Sequence, residues 1–513
     1  MSRKRWTLLA VCVATFMLLI DVTIVNVALP EIQRDLDASL SSLQWVIDAY
    51  ALTLASFLLV SGSLGDRLGR RRVFTIGLGL FTTSSFLCGL AGDPTLLDLA
   101  RGLQGAGGAA MFATALALIA QEFEGRERAA AVGIWGATIG GAVAIGPLIG
   151  GLLTEGLGWE WIFFVNVPIG FAAIAITETR LVNLKATDPQ PIDRWGLVTF
   201  SAALFLLIFA LIRSNAEGWS STVIVACLAG AAILLTAFVA IERRHPNAML
   251  DLALFRTASF TGVSIVAFAI SAGLFAMFLY LTLYMQDVLA YSPLEAGLRF
   301  LPMSLLSFIA APIAARLSSR VPFRALMGVG LLLSGAGLLL MHGIAPGDSW
   351  TGLLAGFLLA GTGVGLANPG IASVAIGVVA SARAGMASGI NSTFRQVGIA
   401  TGTAALGAVF QGRIDSELAS LLPNAPAGFS DAVASGATPA AVASLPPDLR
   451  EHATAAANQA FIAGLNEIIL IGAAICLLGG ILGWLLVRSS DMVAASAQQE
   501  EPAAGAVEPA PVG

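Results

Sequence analysis

Residues 62–72 read GSLGDRLGRRR and separate two apolar blocks, at about 44–63 and 73–91. Each block has the roughly 20 residues that a helix needs to cross the hydrocarbon core of a bilayer. The segment between them combines three glycines, one aspartate and four arginines. A basic anchor on the cytoplasmic side of a membrane explains the arginines. It explains neither the glycines nor Asp66, so we predict a further role for this turn.

That predicted role is a cytoplasmic gate centred on Asp66. Its carboxylate can accept hydrogen bonds from a helix N-terminus, or it can pair with an arginine across the mouth of the protein. Either contact would hold the mouth closed and would break when the protein changes conformation. The predicted gate consists of Gly62, Gly65, Asp66, Arg67, Gly69, Arg70 and Arg71.

The composition of the whole chain agrees with a membrane protein. Of its 513 residues, 57% are hydrophobic and only 12% are charged, whereas a soluble domain has about 25% charged residues. This excludes a soluble enzyme, a nucleic-acid-binding protein and a disordered chain. Neither Lys4 nor Lys185 follows a glycine, so the chain has no P-loop for ATP. The scattered histidines and cysteines predict no metal, and we expect no cofactor beyond an ion gradient as the energy source.

Fourteen apolar blocks predict an all-α integral membrane protein with fourteen spans, the first being uncleaved. If both termini are cytoplasmic, 20 of the 27 Lys and Arg residues lie inside, which agrees with the positive-inside rule. Composition favours partial disorder in the outer segment 412–458, with a surface flap as the alternative, and a flexible tail at 491–513. The predicted blocks are 6–29, 44–63, 73–91, 96–120, 129–152, 161–178, 196–212, 221–241, 260–286, 294–315, 325–343, 351–379, 386–411 and 459–487.

Two ionisable residues lie at similar depths inside predicted spans. Asp21 is about 14 Å from the outer end of the first span, at about 1.5 Å per residue, and Arg101 enters the fourth span from the same side. Ionisable residues within a membrane are usually functional. We therefore predict that Asp21 and Arg101 form an ion pair that carries proton coupling, the alternative being a static pair that joins two helices.

Other residues are weaker candidates. The fifth span carries Gly146 and Gly150 around Pro147, a small-xxx-small face that lets another helix approach closely. Polar and aromatic residues in several spans are candidates for lining a substrate cavity, although most such residues serve packing. The candidates for the substrate cavity are Asn26, Asp48, Gln104, Trp135, Asn391 and Arg395.

Several segments together resemble the major facilitator superfamily, in particular its drug:proton antiporter branch with fourteen spans, the multidrug and quaternary-ammonium exporters. The turn at 62–72 is similar to the signature loop of the superfamily, and RGLQGAG at 101–107 to its second motif. GPLIGG at 146–151 resembles the antiporter motif, although Ala142 replaces its first glycine. DVTIVNVALP at 21–30 and WIFFVNVP at 161–168 resemble motifs of the same branch.

The resemblance implies two six-helix halves, 1–180 and 251–490, with two extra helices in the linker 181–250. It implies that Asp21 and Arg101 act in coupling. It also implies a hinge at Gly146, Pro147, Gly150 and Gly151 that joins the halves on the outer side. Residues 315–320 read ARLSSR and occupy the second-half position of the gate loop, without its Asp and glycines.

The expected function is proton-coupled export of amphipathic, cationic or aromatic compounds across the bacterial inner membrane. The expected partners are a small-molecule substrate, protons and membrane lipids, and we expect neither nucleic acid nor ATP. A narrow exporter of one antibiotic, metabolite or lipid is the alternative, because these motifs encode coupling and not selectivity. A membrane glycosyltransferase that uses Asp35 and Asp37 is a remote alternative, since it has no need of the gate or the hinge.

Overall fold

The computed structural model describes residues 2–36, 38, 40–182, 193–245, 248–380, 383–488 and 490–492. Within these ranges the regular structure is entirely helical. The first group of helices comprises α1 (Arg3–Asp35), α2 (Leu40–Leu68), α3 (Arg70–Gly89), α4 (Pro94–Glu122), α5 (Gly125–Leu157), α6 (Trp161–Phe164) and α7 (Asn166–Arg180). An extra pair follows, formed by α8 (Arg194–Glu217) and α9 (Thr222–Arg244).

The second group begins with α10 (Ala258–Ile270), which continues through a π-helical turn into α11 (Met277–Leu283). Its later helices are α12 (Pro293–Leu317), α13 (Phe323–Met341), α14 (Leu354–Gly377), α15 (Ala384–Leu421), α16 (Phe429–Ser435), α17 (Thr438–Ala443) and α18 (Pro447–Leu486).

Length and apolar composition identify 12 candidate membrane spans among the described residues. All fourteen predicted blocks fall on helices, but those on α5 and α15 are not among the 12. Helix α5 contributes two shorter apolar segments, Ala130–Ala142 and Leu148–Leu157. Helix α15 is 38 residues long and carries many glycines and polar residues. The all-helical membrane fold is therefore confirmed, whereas the count of fourteen spans stays a prediction.

Most apolar side chains of each group are buried within that group, and the two groups touch along two seams. In the first group α4 packs against α2 and α3, and α5 packs against α1. In the second group α13 packs against α14 and α18, and α12 packs against α14. One seam between the groups joins α2 to α15, and the other joins α5 to α12. These seams place the functional side chains described below.

The extra pair packs on the outside of the first seam. Helix α8 contacts both α2 and α15, so it touches both groups, while α9 packs mainly against α8. Only 17% of the apolar segment of α9 is buried. A helix with so little buried surface and such high hydropathy is suited to face lipid.

The segment 412–458 differs from its expected partial disorder. Helices α15 and α18 extend far into 412–458, and α16 and α17 lie between them. Phe429 and Val433 are buried, and the Thr438 hydroxyl donates a 2.7 Å hydrogen bond to Asp287 of the second group. These contacts anchor the segment as a helical flap, which composition alone does not show. Most of the predicted tail at 491–513 and the linker residues 183–192, with Lys185, lie outside the described ranges.

Candidate functional site

A buried ion pair joins α1 to α4. Arg101 Nη1 lies 2.6 Å from Asp21 Oδ2. Asp21 is fully buried, and Arg101 is 2% exposed. The contact expected from their similar depths is therefore present. Two full charges at this degree of burial lose their hydration, so the surrounding polar groups decide how well the pair is stabilised.

Two amides complete the hydrogen bonding of the Asp21 carboxylate. Gln104 Nε2 donates a 2.8 Å bond to Asp21 Oδ1, while Gln104 Oε1 accepts a 2.8 Å bond from Arg101. Asn166, on α7, donates to the same Asp21 oxygen at 3.1 Å. We refer to Asp21, Arg101, Gln104 and Asn166 as the buried polar cluster. Gln104 was expected to line a substrate cavity, but it is fully enclosed in this cluster.

Arg101 is also anchored independently of Asp21. Its Nε donates a 3.0 Å hydrogen bond to the carbonyl of Val46 on α2, and its guanidinium carbon lies 4.2 Å from the centre of the Tyr50 ring. The position of Arg101 would therefore persist if Asp21 lost its charge. Sequence reasoning assigned no role to Asn166 or Tyr50, although Asn166 stands within the quoted segment 161–168.

The Asp66 carboxylate joins the two groups of helices at the start of α15. Its two oxygens accept hydrogen bonds from the backbone N–H of Gly385, at 3.0 Å, and of Met386, at 2.8 Å. Arg70 donates to Asp66 Oδ1 through Nε at 3.0 Å and Nη2 at 2.9 Å. Asp66 thus accepts from a helix N-terminus, the first of the two predicted contacts, whereas the arginine that pairs with it belongs to the same turn and does not lie across the mouth. We call this arrangement the Asp66 clasp.

The glycines of the turn permit this close approach. A Cβ at Gly62 would overlap the carbonyl oxygen of Gly385, and one at Gly65 would lie 2.8 Å from Thr114 Cγ2. Gly69 has φ 100°, a value that L side chains rarely adopt, and it separates α2 from α3. Glycine at position 62 therefore allows α2 and α15 to touch backbone to backbone, and glycine at position 65 allows α2 to approach α4.

The arginines of the turn bind segments on the same face. Arg67 donates to the carbonyl of Ala248 at 3.1 Å, and Arg70 donates to that of Ala117 at 3.2 Å. Arg71 pairs with Glu178 and donates to the carbonyl of Leu181. We call this side of the protein the basic face.

The antiporter motif makes a different contact from the one expected. A Cβ at Gly146 would overlap the Thr23 hydroxyl, and one at Gly150 would lie 2.8 Å from Ile24 Cγ1. Both glycines therefore face α1 within the first group, and they do not join the two groups in this structure. A Cβ at Gly151 would meet no atom within 4 Å. The side chain of Pro147 lies outside the described part of the chain.

Other residues of α5 make the contact between the groups. A Cβ at Gly133 would lie 2.8 Å from Ala315 Cβ on α12. Across the other seam, a Cβ at Gly389 would lie 2.9 Å from the carbonyl oxygen of Leu58. Gly133 and Ala315 lie near the ends of α5 and α12 that carry arginines, as Gly389 lies near the Asp66 clasp. Both seams are thus tightly packed toward the basic face.

A cavity of about 440 Å³ lies toward the other side, between α2, α8, α11 and α15. Asp48 lines it and is separated from Asp66 by about 27 Å along α2, at about 1.5 Å per residue. Apolar side chains form most of its surface, with a few polar groups among them. Six of the lining residues are Asp48, Ile208, Arg213, Asn215, Leu279 and Gln396.

The remaining cavity candidates are dispersed. Trp135 is buried, and its indole N–H donates a 2.9 Å hydrogen bond to Thr15 Oγ1. Its polar group is therefore paired within the first group. Arg395 donates at 2.8 Å to Asn368, which lines a smaller cavity of about 50 Å³. Asn391 is buried, and the side chain of Asn26 lies outside the described residues.

Comparison with known proteins identifies the family. Residues 11–403 match the sequence profile of the Major Facilitator Superfamily. The tetracenomycin C resistance and export protein of Streptomyces glaucescens is 34% identical over 490 residues, covering 92% of this chain and 90% of that protein. The multidrug resistance protein Stp of Mycobacterium tuberculosis is 35% identical over 489 residues, with 93% and 91% covered. The chain belongs to the major facilitator superfamily.

Solved structures support the same fold. The proton:xylose symporter XylE has a TM-score of 0.63 at 12% identity, with 94% of this chain and 96% of that chain covered. The human organic anion transporter MFSD10 has a TM-score of 0.62 at 15% identity, with 94% and 99% covered. Together with the membrane-spanning helices and the bacterial relatives, this makes the chain a multi-pass transporter-family protein of the bacterial inner membrane.

Proposed function

We propose that this chain is a proton-coupled antiporter that exports amphipathic, cationic or aromatic, drug-like compounds. Relatives named for resistance to tetracenomycin C, to puromycin and to multiple drugs support export as the direction of transport. The observation that carries the proton coupling is the buried polar cluster, in which Asp21 lies between three helices without access to solvent. Transport, and not group transfer, is what we expect of this chain. Of the two acids that a glycosyltransferase would use, Asp35 accepts a 3.0 Å hydrogen bond from Trp159 Nε1, and Asp37 lies outside the described residues.

The contacts of the cluster support proton exchange at Asp21. Protonation of Asp21 would remove its charge and weaken the contact with Arg101, whereas the bonds of Arg101 to α2 would remain. The hydrogen bonds from α4 and α7 to one carboxylate would then loosen together. Binding a proton would therefore change how α1 packs against α4 and α7, which is the differential interaction that a coupled change requires.

The closed basic face supports alternating access as the mechanism. In this arrangement the Asp66 clasp and the two seams close the basic face, and the cavity at Asp48 lies beyond them. Opening of the basic face would require the clasp to release the start of α15. Substrate would enter there and leave on the opposite side after the basic face has closed. A proton taken up on that opposite side would then be carried inward as the basic face reopens.

We further propose fourteen spans with both termini cytoplasmic, arranged as halves 1–180 and 251–490 around the extra pair in 181–250. Helices α5 and α15 would then supply the two spans beyond the 12 identified by composition. Alkaline phosphatase fused at residue 346, in the turn between α13 and α14, should be active. Fused after residue 492, it should be inactive. Activity at the second position would reject the topology.

The decisive experiment uses the full chain in proteoliposomes. An imposed pH gradient should drive ethidium transport by the wild type. Asp21→Asn should abolish gradient-driven transport but retain exchange of labelled for unlabelled ethidium, since exchange needs no net proton movement. Glu31→Gln on the same helix is the matched control and should behave as wild type. Undiminished gradient-driven transport by Asp21→Asn would reject the proton role.

A narrow exporter is the second candidate, favoured by relatives named for one compound, such as the puromycin resistance protein of Streptomyces alboniger. The same proteoliposomes, tested with a panel of cationic and neutral aromatic compounds, separate the two. Transport of several unrelated compounds supports the broad exporter, and transport of one supports the narrow exporter.

A further inference from the structure

The cavity at Asp48 is formed jointly by both groups of helices and the extra pair. Helix α2 of the first group provides Asp48, α11 and α15 of the second group provide Leu279 and Gln396, and α8 of the extra pair provides Arg213 and Asn215. Its volume of about 440 Å³ is in the range of small-molecule sites, which are mostly apolar with a few polar groups. The extra pair is therefore part of the wall of a cavity that has the size for a ligand.

The charged groups around this cavity differ in whether they have an ion-pair partner. Arg213 Nε lies 3.2 Å from Glu217 Oε1, one turn further along α8. The Asp48 carboxylate, in contrast, has no ion-pair or hydrogen-bond partner among the described residues. Asp98, on α4, adds a second negative charge close enough to act on Asp48, and one of its buried oxygens also accepts no described hydrogen bond. Asp48, Asp98 and Glu217 together oppose the single positive charge of Arg213, although only Asp48 and Arg213 line the cavity itself.

We propose that this cavity binds an organic cation with a large apolar body, and that Arg213 restricts it to cations with a single positive charge. The proposal rests on the proposed export function and names the ligand class and a specificity-determining residue for it. Asp48 supplies the counter-charge for the cation, and the isoleucine and leucine side chains of α2, α8 and α11 contact the apolar body.

The role of Arg213 follows from Coulomb's law in a partly apolar cavity. Arg213 lines the same cavity as Asp48, and its positive charge acts on that carboxylate more strongly than the negative charge of Asp98 does. A first positive charge gains from Asp48, whose carboxylate has no described partner, whereas Arg213 is already paired with Glu217. A second positive charge on the same ligand must lie elsewhere in the cavity, where it meets Arg213. Like-charge juxtaposition of this kind is a means of rejecting wrong ligands.

Equilibrium binding to the purified full chain in lipid nanodiscs tests the proposal. The probes are tetraphenylphosphonium, with one charge, and decamethonium, with two. Asp48→Asn should weaken tetraphenylphosphonium binding about tenfold or more, as expected for loss of an interaction with a charged group. Arg213→Gln should strengthen decamethonium binding about tenfold and change tetraphenylphosphonium binding much less. Arg213→Lys keeps the charge and should retain the preference for one charge.

Arg413→Gln is the matched control, because Arg413 also pairs with a glutamate one turn away at 3.2 Å but lies outside the cavity. It should bind both probes as wild type does. If Asp48→Asn does not fold, Ala400→Trp, which fills the cavity from α15, should abolish tetraphenylphosphonium binding. Unchanged binding by either variant would overturn the site. Equal effects of Arg213→Gln on the two probes would overturn the charge selection.

The binding assay tests the cation site and the transport assay tests the antiport function, so either hypothesis can be rejected without the other. Binding that depends on Asp48 without gradient-driven transport supports the cavity and rejects the antiport function. Gradient-driven transport of ethidium with no Asp48-dependent binding of tetraphenylphosphonium supports the function and rejects the cavity as its cation site.

Discussion

Asp66 on α2 accepts a 2.8 Å hydrogen bond from the backbone N–H of Met386, a residue 320 positions later in the chain. A carboxylate at a helix N-terminus is favoured by the exposed N–H groups and by the helix dipole. This single side chain therefore links the first half of the chain to the second at the basic face. Its loss should affect movement of the halves, although it contacts no cavity described above.

Removing the clasp should slow transport. Asp66→Asn keeps the shape of the side chain but removes its charge and one of its acceptor oxygens, so the closed basic face should become less stable. Since a hydrogen bond to a charged group contributes about 1.5–3 kcal/mol, we expect initial ethidium efflux to fall about tenfold or more. Glu127→Gln, an exposed acid at the same face that pairs with Lys4, is the control. Wild-type efflux by Asp66→Asn would contradict the clasp.

Adding one methyl group at the seam between α2 and α15 should destabilise the protein. Gly62→Ala places its Cβ against the Gly385 carbonyl oxygen, and overpacking of this kind costs about 1–3 kcal/mol. The melting temperature of the purified protein should therefore fall. Gly79→Ala on α3 should have little effect, because a Cβ there meets no atom within 4 Å. Equal melting temperatures for the two variants would show that the seam tolerates a side chain.

The two ends of the antiporter motif should respond oppositely to alanine. Gly146→Ala introduces a clash with Thr23 and should lower the melting temperature. Gly151→Ala meets no atom within 4 Å and should leave the melting temperature unchanged or slightly raised, since alanine favours a helix more than glycine does. If Gly151→Ala lowers transport without lowering stability, this glycine makes its contact in another conformation.

Breaking one side of the buried ion pair should cost more than removing both charges. Arg101→Ala leaves Asp21 buried and unpaired, and such a change costs about 3–5 kcal/mol. The double variant Asp21→Asn, Arg101→Gln keeps hydrogen-bonding amides at both positions and should melt closer to wild type. Thermal unfolding of the two variants in detergent checks this order. A double variant as unstable as Arg101→Ala would indicate that the pair stabilises mainly through packing and not through charge.

Much of the fold was predictable because a bilayer imposes one length and one polarity on every spanning helix. The pairing of Asp21 with Arg101 was predictable for the same reason, since depth can be read from position in a span. The segment 412–458 was not, because its order depends on contacts such as Phe429 against the second group. Hydropathy also does not tell which way a helix faces. Three features could therefore be found only from the structure. Gly146 and Gly150 face α1, Gln104 belongs to the buried polar cluster, and Arg213 lies beside a cavity.

The packing of α8 has a mechanical consequence. Because α8 touches both α2 and α15, any rocking of one half against the other must make α8 slide along at least one of them. Helix α9 is carried along with it, and most of its surface faces outward. Each transport cycle would then displace acyl chains around the extra pair. Higher membrane viscosity should therefore lower the turnover rate, and a more fluid bilayer should raise it.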